Sequence, residues 1–190
     1  MKEPVFDSLG NALTFAYRFS GQQFARAQNI DPTPLGSGRG LVGLDGAAQA
    51  GMILSEIRSC GLLTETILLA RFADPFDRSA RPCDCCGHVG VSGEFRGACV
   101  YLAEKIAMPA AATLHSRMAV ELVMRYFLPK DHKRTFGSLA RQFGDGEDKA
   151  KKLYYVVASA LKRAESASQA KAGGALESAG IVGICEQIAA

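Results

Sequence analysis

Residues 135–144 read TFGSLARQFG, a short amphipathic segment that ends in glycine. Its apolar residues recur at spacings of three and four: Phe136, Leu139, Ala140 and Phe143. This spacing predicts a two-turn helix with one apolar face. Thr135 is suited to cap the start of that helix, and Gly144 is suited to end it.

A longer amphipathic helix is predicted directly after this segment, over residues 145–167. Its apolar positions are predicted to face back onto the short helix: Leu153, Val156, Val157, Ala160 and Leu161. Asp145 is a suitable N-cap for it. A short helix, a glycine turn and a longer helix follow one another in the order of a helix-turn-helix, whose longer helix enters the major groove of DNA.

Positive charge is concentrated around these two helices. Residues 125–163 hold ten Lys and Arg against four Asp and Glu, a local net charge of +6 in a chain whose total is +3. Segregated charge of this kind indicates a nucleic-acid partner, and we predict double-stranded DNA. The residues predicted to contact phosphate and the groove are Arg141, Lys149, Lys151 and Lys152. An ordinary helical hairpin with a basic surface is the alternative.

Acidic residues occupy the N-terminus of the longer helix, which is the end that usually meets DNA. Asp145 is explained by capping, and Glu147 and Asp148 complement the helix dipole. These carboxylates weaken the segment as a reader of base edges. The lysines are therefore expected to contact mainly phosphates.

Residues 81–88 read RPCDCCGH and contain three of the six cysteines of the chain. Cys83 and Cys86 have the spacing at which one tight turn directs two thiolates at a single metal ion. Pro82 and Gly87 suit such a turn, because proline restricts φ and glycine tolerates positive φ. The pattern predicts a zinc ion with a structural role.

A closed structural zinc site needs four ligands. Cys99 is the candidate for the third ligand, because the loop between Cys86 and Cys99 has a length at which small zinc modules close. The fourth is open, and the candidates are His88, Cys85, Cys60 and His115. His88 is preferred, so the predicted metal ligands are Cys83, Cys86, His88 and Cys99. Two alternatives remain. In the first, the Cys83–Cys86 pair binds no metal and the other cysteines are buried as small hydrophobic residues. In the second, the cysteines carry out thiol redox chemistry.

The remaining chain is predicted to be mainly helical. Further helices are expected over residues 5–28, 45–60, 62–72 and 110–128, and Val89, Val91 and Phe95 favour a short β-hairpin. The fold class is mainly α: a helical bundle with a small zinc-knuckle or β-hairpin insertion and a C-terminal helix-turn-helix-like unit. The expected regions are a helical part (1–80), a cysteine-rich knuckle (81–108), a helical DNA-binding part (109–167) and an Ala- and Gly-rich tail (168–190).

Composition narrows the class of protein. Hydrophobic residues make up 48% of the chain and charged residues 22%, which is typical of a globular protein. No run approaches the roughly 18 apolar residues of a membrane span, and the N-terminus has no apolar signal core, so we expect a cytoplasmic protein. Catalysis is not expected, because the three histidines are scattered and Asp74 and Asp77 are typical of a turn.

The order of these segments resembles the lambdoid phage late antiterminators, the Q proteins. The similar stretches are LARFA (69–73), RSARP (78–82) and CDCCGHVG (83–90), within residues 64–164. The chain departs from the family in having only Cys99 where the family has a second Cys-x-x-Cys. The resemblance implies a phage or prophage transcription regulator that binds promoter DNA and engages RNA polymerase with its sigma factor, so that transcription passes pauses and terminators.

A second interpretation comes from the high apolar content of residues 52–69. It favours a non-enzymatic helical module that binds another protein, or forms a homo-oligomer, without binding DNA.

Overall fold

A computed structural model describes residues 5–26, 44–77, 84–85 and 89–183. Its main helices are α1 (Leu9–Arg26), α2 (Leu44–Ser59), α3 (Leu62–Phe72), α4 (Gly93–Leu102), the short α5 (Met108–Ala110), α6 (Ser116–Phe127), α7 (Phe136–Phe143) and α8 (Glu147–Ser178). A π-helical turn (Ala103–Ala107) follows α4, and a 3-10 turn (Lys130–His132) precedes α7. The mainly-α prediction is confirmed.

The described residues belong to two compact units. Unit 1 contains the described parts of Met1–Asp74 and Ala167–Ala190, and unit 2 is drawn from Pro75–Ser166. Helix α8 contributes residues 147–166 to unit 2 and residues 167–178 to unit 1. The unit boundaries therefore differ from the four regions expected from the sequence.

Unit 1 is a helical bundle whose core lies between α1, α2, α3 and the last turns of α8. Its fully buried side chains include Leu13, Ile53, Leu68 and Leu176, one from each of these helices. Gly61 joins α2 to α3 with φ of 98°, a conformation that favours glycine because it has no Cβ. The helix predicted over residues 62–72 has the same bounds as α3.

Residues 168–183, the described part of the Ala- and Gly-rich stretch, belong to unit 1. Helix α8 continues to Ser178, and the chain then turns at Gly180, which has φ of 69°. Phe6 forms a parallel bridge with Val182. Its N–H donates to the Ile181 carbonyl at 3.1 Å, and its carbonyl accepts from the Gly183 N–H at 3.1 Å. Residues 184–190 lie outside the described residues.

Unit 2 begins with a helix where the sequence predicted a β-hairpin and knuckle. The Ser92 side chain caps α4 by accepting a hydrogen bond from the Phe95 N–H at 3.2 Å. Phe95, Cys99 and Leu102 recur at helical spacing and are buried, which explains why helix wins over strand. The hairpin prediction is therefore wrong at Phe95, and Val91 instead forms an isolated antiparallel bridge with Phe76.

Helix α6 is shorter than the helix predicted over residues 110–128. Residues 111–115 leave the helical path, and α6 then starts under the cap of His115, whose Nδ1 accepts from the Arg117 N–H at 3.3 Å. Met118 and Leu122 are buried on its inner face. Within the described ranges, no helix has both the length and the apolar content needed to cross a bilayer.

Candidate nucleic-acid interface

Thr135 and Gly144 bound α7 as the sequence predicted, whereas α8 starts at Glu147 rather than at the predicted Asp145. The Thr135 hydroxyl caps α7 by accepting from the Ser138 N–H at 3.2 Å. Gly144 ends the helix in the left-handed region, with φ of 70° and ψ of 24°. The Asp145 N–H then donates to the Ala140 carbonyl at 2.9 Å, which satisfies a carbonyl of the last turn.

Two of the predicted DNA-contacting lysines form ion pairs at the start of α8. Lys149 Nζ lies 2.6 Å from Asp145 Oδ1, and Lys151 Nζ lies 2.8 Å from Glu147 Oε1. The hydrogen bond that Lys151 donates to Glu147, followed by the negative charge of Glu147, raises the pKa of Lys151 above the ordinary lysine value. Ion pairs that solvent reaches contribute little to stability, so a phosphate group can replace the carboxylate as the partner of either lysine.

The other two predicted contacts, Arg141 and Lys152, are exposed. Arg141 is on α7 and Lys152 is on α8. Lys152 shares one face of α8 with Tyr155, Lys162 and Arg163, because steps of three, ten and eleven residues return to similar directions at 100° per residue. The charge is thus presented along more than two turns of α8 rather than at its first turn alone.

An arginine and two aromatic rings hold the inner side of these helices together. The Arg125 guanidinium of α6 lies 4.0 Å from the centre of the Phe136 ring of α7 and 5.6 Å from that of the Tyr154 ring of α8. Arg125 Nη1 also donates to the Arg134 carbonyl. A guanidinium within reach of both rings links the three helices, so the positive charge of Arg125 interacts inside unit 2.

A second polar link ties α6 to the later part of α8 in unit 2. The Tyr126 hydroxyl lies 2.7 Å from Glu165 Oε2, and Glu165 is buried. A buried carboxylate requires such a partner, because burial without a hydrogen bond is costly. Together with the Arg125 stack, this bond fixes how α8 lies on α6 and therefore which face of α8 remains outside.

The outer face of α8 carries two apolar residues that the sequence interpretation did not assign to the site. Tyr155 is 68% exposed and Val156 is 46% exposed, whereas the neighbouring Val157 is fully buried. The prediction that Val156 faces inward is therefore wrong. A helical projection centred on Val157 and Leu161 would have shown it, since Val156 lies 100° from Val157 and 140° from Leu161.

The predicted zinc ligands are only partly covered by the structure. Cys83, Cys86 and His88 lie outside the described residues. Cys99 is fully buried in α4, and burial raises the pKa of its thiol from 9.0 to about 12. The role of Cys99 as a zinc ligand stays a prediction, because its three predicted co-ligands lie outside the described residues.

The other candidates for the fourth zinc ligand lie in three different environments. His115 uses Nδ1 to cap α6. The Cys60 thiol lies in unit 1, 3.9 Å from the Lys171 carbonyl oxygen, and Cys85 is exposed. Among the residues that the structure describes, no three His, Cys, Asp or Glu side chains are grouped so that they could hold a metal ion.

No family model, curated protein or solved structure matches this chain. The chemistry of the outer face of α8 and its supporting contacts therefore carry the functional interpretation.

Proposed function

We propose that the chain is a non-enzymatic transcription regulator that binds double-stranded DNA through α7 and α8. The observation that supports this is the exposed basic face of α8, which extends from Lys152 to Arg163. It follows a capped helix and a left-handed glycine turn, the order used by helix-turn-helix proteins. A helix about 10–12 Å across matches a major groove about 12 Å wide.

In this proposal, phosphate contacts come mainly from Arg141, Lys152, Lys162 and Arg163. Lys149 and Lys151 contribute less, because a phosphate first has to displace Asp145 or Glu147 from them. This ranking modifies the set of contacts predicted from the sequence. Substitutions of Lys149 and Lys151 are therefore expected to weaken DNA binding less than substitutions of Lys152, Lys162 and Arg163.

Fluorescence anisotropy of a labelled duplex of about 30 base pairs, roughly three helical turns, tests the proposal across a range of salt. For the full chain, log K is expected to fall linearly with log salt, with a slope of about −0.9 for each phosphate that the protein neutralises. Replacing Lys152, Lys162 and Arg163 with Ala together should make this slope shallower by about 0.9 for each phosphate that is no longer neutralised.

Two controls accompany that triple variant. Lys149→Ala with Lys151→Ala should change the slope less than the triple variant does. Lys105→Ala, which removes an exposed lysine outside α7 and α8, should leave it unchanged. Absence of binding by the full chain at low salt contradicts the proposal, and an unaltered slope in the triple variant contradicts the assignment of the face.

The resemblance to the Q proteins supports extending the proposal to RNA polymerase and its sigma factor, with antitermination as the outcome. A transcription assay with a terminator downstream of a bound promoter tests this extension. Read-through should rise with the full chain and should not rise with the triple variant. Read-through that is equal with and without the protein contradicts the extension alone.

Zinc stays a prediction that depends on Cys83, Cys86, His88 and Cys99. Metal analysis of the purified protein tests it. If zinc is present, Cys83→Ser with Cys86→Ser should remove it, and Cys99→Ala should lower the zinc content. Full retention of zinc in the Cys99→Ala variant would exclude Cys99 from the ligand set.

A second candidate function is protein binding through unit 1. Met52 on α2 and Leu62 on α3 are 55% and 60% exposed, and Leu63 beside Leu62 is 40% exposed. A light-scattering mass that shows a stable dimer without affinity for DNA would favour this candidate. Met52→Lys with Leu62→Lys should then return the protein to a monomer.

A further inference from the structure

The outer face of α8 presents exposed apolar side chains beside exposed basic ones. Tyr155 and Val156 are exposed side by side, with Lys152 one turn earlier and Lys162 and Arg163 about two turns later. The centre of the Tyr155 ring lies 5.9 Å from that of Tyr154 on the same helix. An apolar pair is thus presented at the centre of a cationic face.

The charge that frames this pair favours a polyanionic partner. Lys152, Lys162 and Arg163 are exposed, and unit 2 carries the positive excess of the chain. Asp148 lies at the N-terminal end of the same face, where its carboxylate disfavours phosphate. The cationic and apolar groups lie further along α8 than Asp148. In a complex, the apolar pair would contact the interior of the partner, and the cations would contact its edges.

Within the major groove, one base-edge group is apolar: the C5 methyl of thymine. We infer that Tyr155 and Val156 are specificity-determining residues that contact thymine methyl groups in the DNA site. This inference rests on the proposed binding of duplex DNA by α8. It adds that affinity depends on thymine at the positions under the middle of the helix.

Val156 distinguishes methyl contact from stacking on unpaired bases. A tyrosine ring can stack on any base, and proteins that bind single strands use aromatic side chains in this way. A valine has no π-face, and its branched methyl groups gain mainly from contact with another apolar group. The pairing of Tyr155 with Val156 therefore favours methyl contact in a duplex over stacking on a single strand.

The test begins with selection of duplexes from a random-sequence library by the full chain. The recovered site is then compared, at one salt concentration, with the same duplex in which deoxyuridine replaces thymidine one position at a time. Deoxyuridine keeps the base pair and removes only the methyl. Each contacted methyl should contribute about fourfold to affinity, from about 0.8 kcal/mol for a buried carbon group.

Val156→Ala should remove this sensitivity at the thymine that Val156 contacts, while the variant still folds, because alanine is the better helix former at an exposed position. Val100→Ala is the matched control, since Val100 is also an exposed helical valine of unit 2, on α4. The control should retain the full fourfold effect. Tyr155→Ala should remove the sensitivity at a neighbouring position.

The outcomes separate this inference from the proposed function. Tight, salt-dependent binding that is equal for the thymidine and deoxyuridine duplexes overturns the inference and leaves duplex binding intact. Equal or tighter binding of the single strand overturns it in favour of a stacking surface. Failure to enrich any duplex, with no binding at low salt, overturns both.

Discussion

Helix α8 differs between its two parts, residues 147–166 in unit 2 and residues 167–178 in unit 1. The first part carries exposed basic and aromatic side chains on its outer face, with Val157 and Leu161 buried beneath. The second part is mostly Ala, Gly and Ser, and its inner positions Ala172 and Leu176 join the core of unit 1. One helix therefore supplies a candidate binding face in one unit and packing in the other.

The composition of each part follows from what it contacts. The second part lies against α1: a Cβ placed on Gly173 would be in ordinary van der Waals contact with Leu9 Cδ2, at 3.7 Å. The outer face of the first part carries long side chains such as Lys152, Tyr155 and Arg163. The contrast shows that an Ala- and Gly-rich sequence can be a packed helix when its neighbours bury it, despite a cost of about 1 kcal/mol for each interior glycine.

The largest expected effect comes from the buried leucines of the two parts. Leu176→Ala and Leu161→Ala should each lower the free energy of unfolding by about 2–5 kcal/mol, because each leaves a cavity in a core. Urea unfolding followed by circular dichroism measures both. If Leu176→Ala leaves the unfolding midpoint unchanged, the second part of α8 is not packed and the contrast between the two parts fails.

Alkaline pH should affect the two units through different buried groups. In unit 1, burial and then the charge of Glu65 raise the pKa of Tyr17 above its ordinary value of 10.0. In unit 2, burial raises the pKa of Cys99 from 9.0 to about 12. In both cases the unfolded state loses its proton first, so stability is full below the ordinary pKa and falls as pH rises above it.

Each group should contribute at most about 1.4 kcal/mol per pH unit to this loss, beginning near pH 9 for Cys99 and near pH 10 for Tyr17. Urea midpoints of the wild type, Tyr17→Phe and Cys99→Ala measured from about pH 8 to 11 resolve the two contributions. Cys99→Ala should lose the decline in stability that begins near pH 9, and Tyr17→Phe should lose the decline that begins near pH 10. Parallel curves for all three proteins would contradict the burial of these groups.

Gly144→Ala should cost about 1–2 kcal/mol, because alanine is strained at the positive φ of the turn that starts the candidate interface. Gly97→Ala is the control in the interior of α4, where a Cβ meets no atom within 4 Å and φ is not positive. The control should raise the unfolding free energy by about 0.5–1 kcal/mol, because alanine is the better helix former. Equal changes in the two variants would mean that the turn is not left-handed.

The smallest expected effect is a gain in stability. Gly174→Ala should raise the free energy of unfolding by about 0.5–1 kcal/mol, because it replaces a helix-interior glycine at a position with open space around it. Thermal unfolding measures the gain. A loss of stability would indicate that residues 167–178 leave the helix, and it would remove the contrast between the two parts of α8.

The elements predicted well are those whose signals are local. Leu62–Phe72 was bounded by Gly61 and the Asp74-Pro75 turn, and α7 by Thr135 and Gly144, so caps and periodicity sufficed. At the candidate interface, Arg141 and Lys152 were identified and are exposed. The ion pairs of Lys149 and Lys151 follow from the i, i+4 spacing to Asp145 and Glu147, although the sequence interpretation assigned those carboxylates to capping and the helix dipole.

The features that the sequence left open or placed wrongly depend on contacts between distant residues. Residues 168–178 are helical because Leu176 joins a core formed by α1 and α2, and the chain end is held by the bridge between Phe6 and Val182. Local periodicity establishes that α8 is amphipathic, because backbone geometry repeats every 3.6 residues. It does not establish where α8 ends or that Val156 faces outward, because packing against Arg125, Phe136 and the rest of unit 2 sets its rotation.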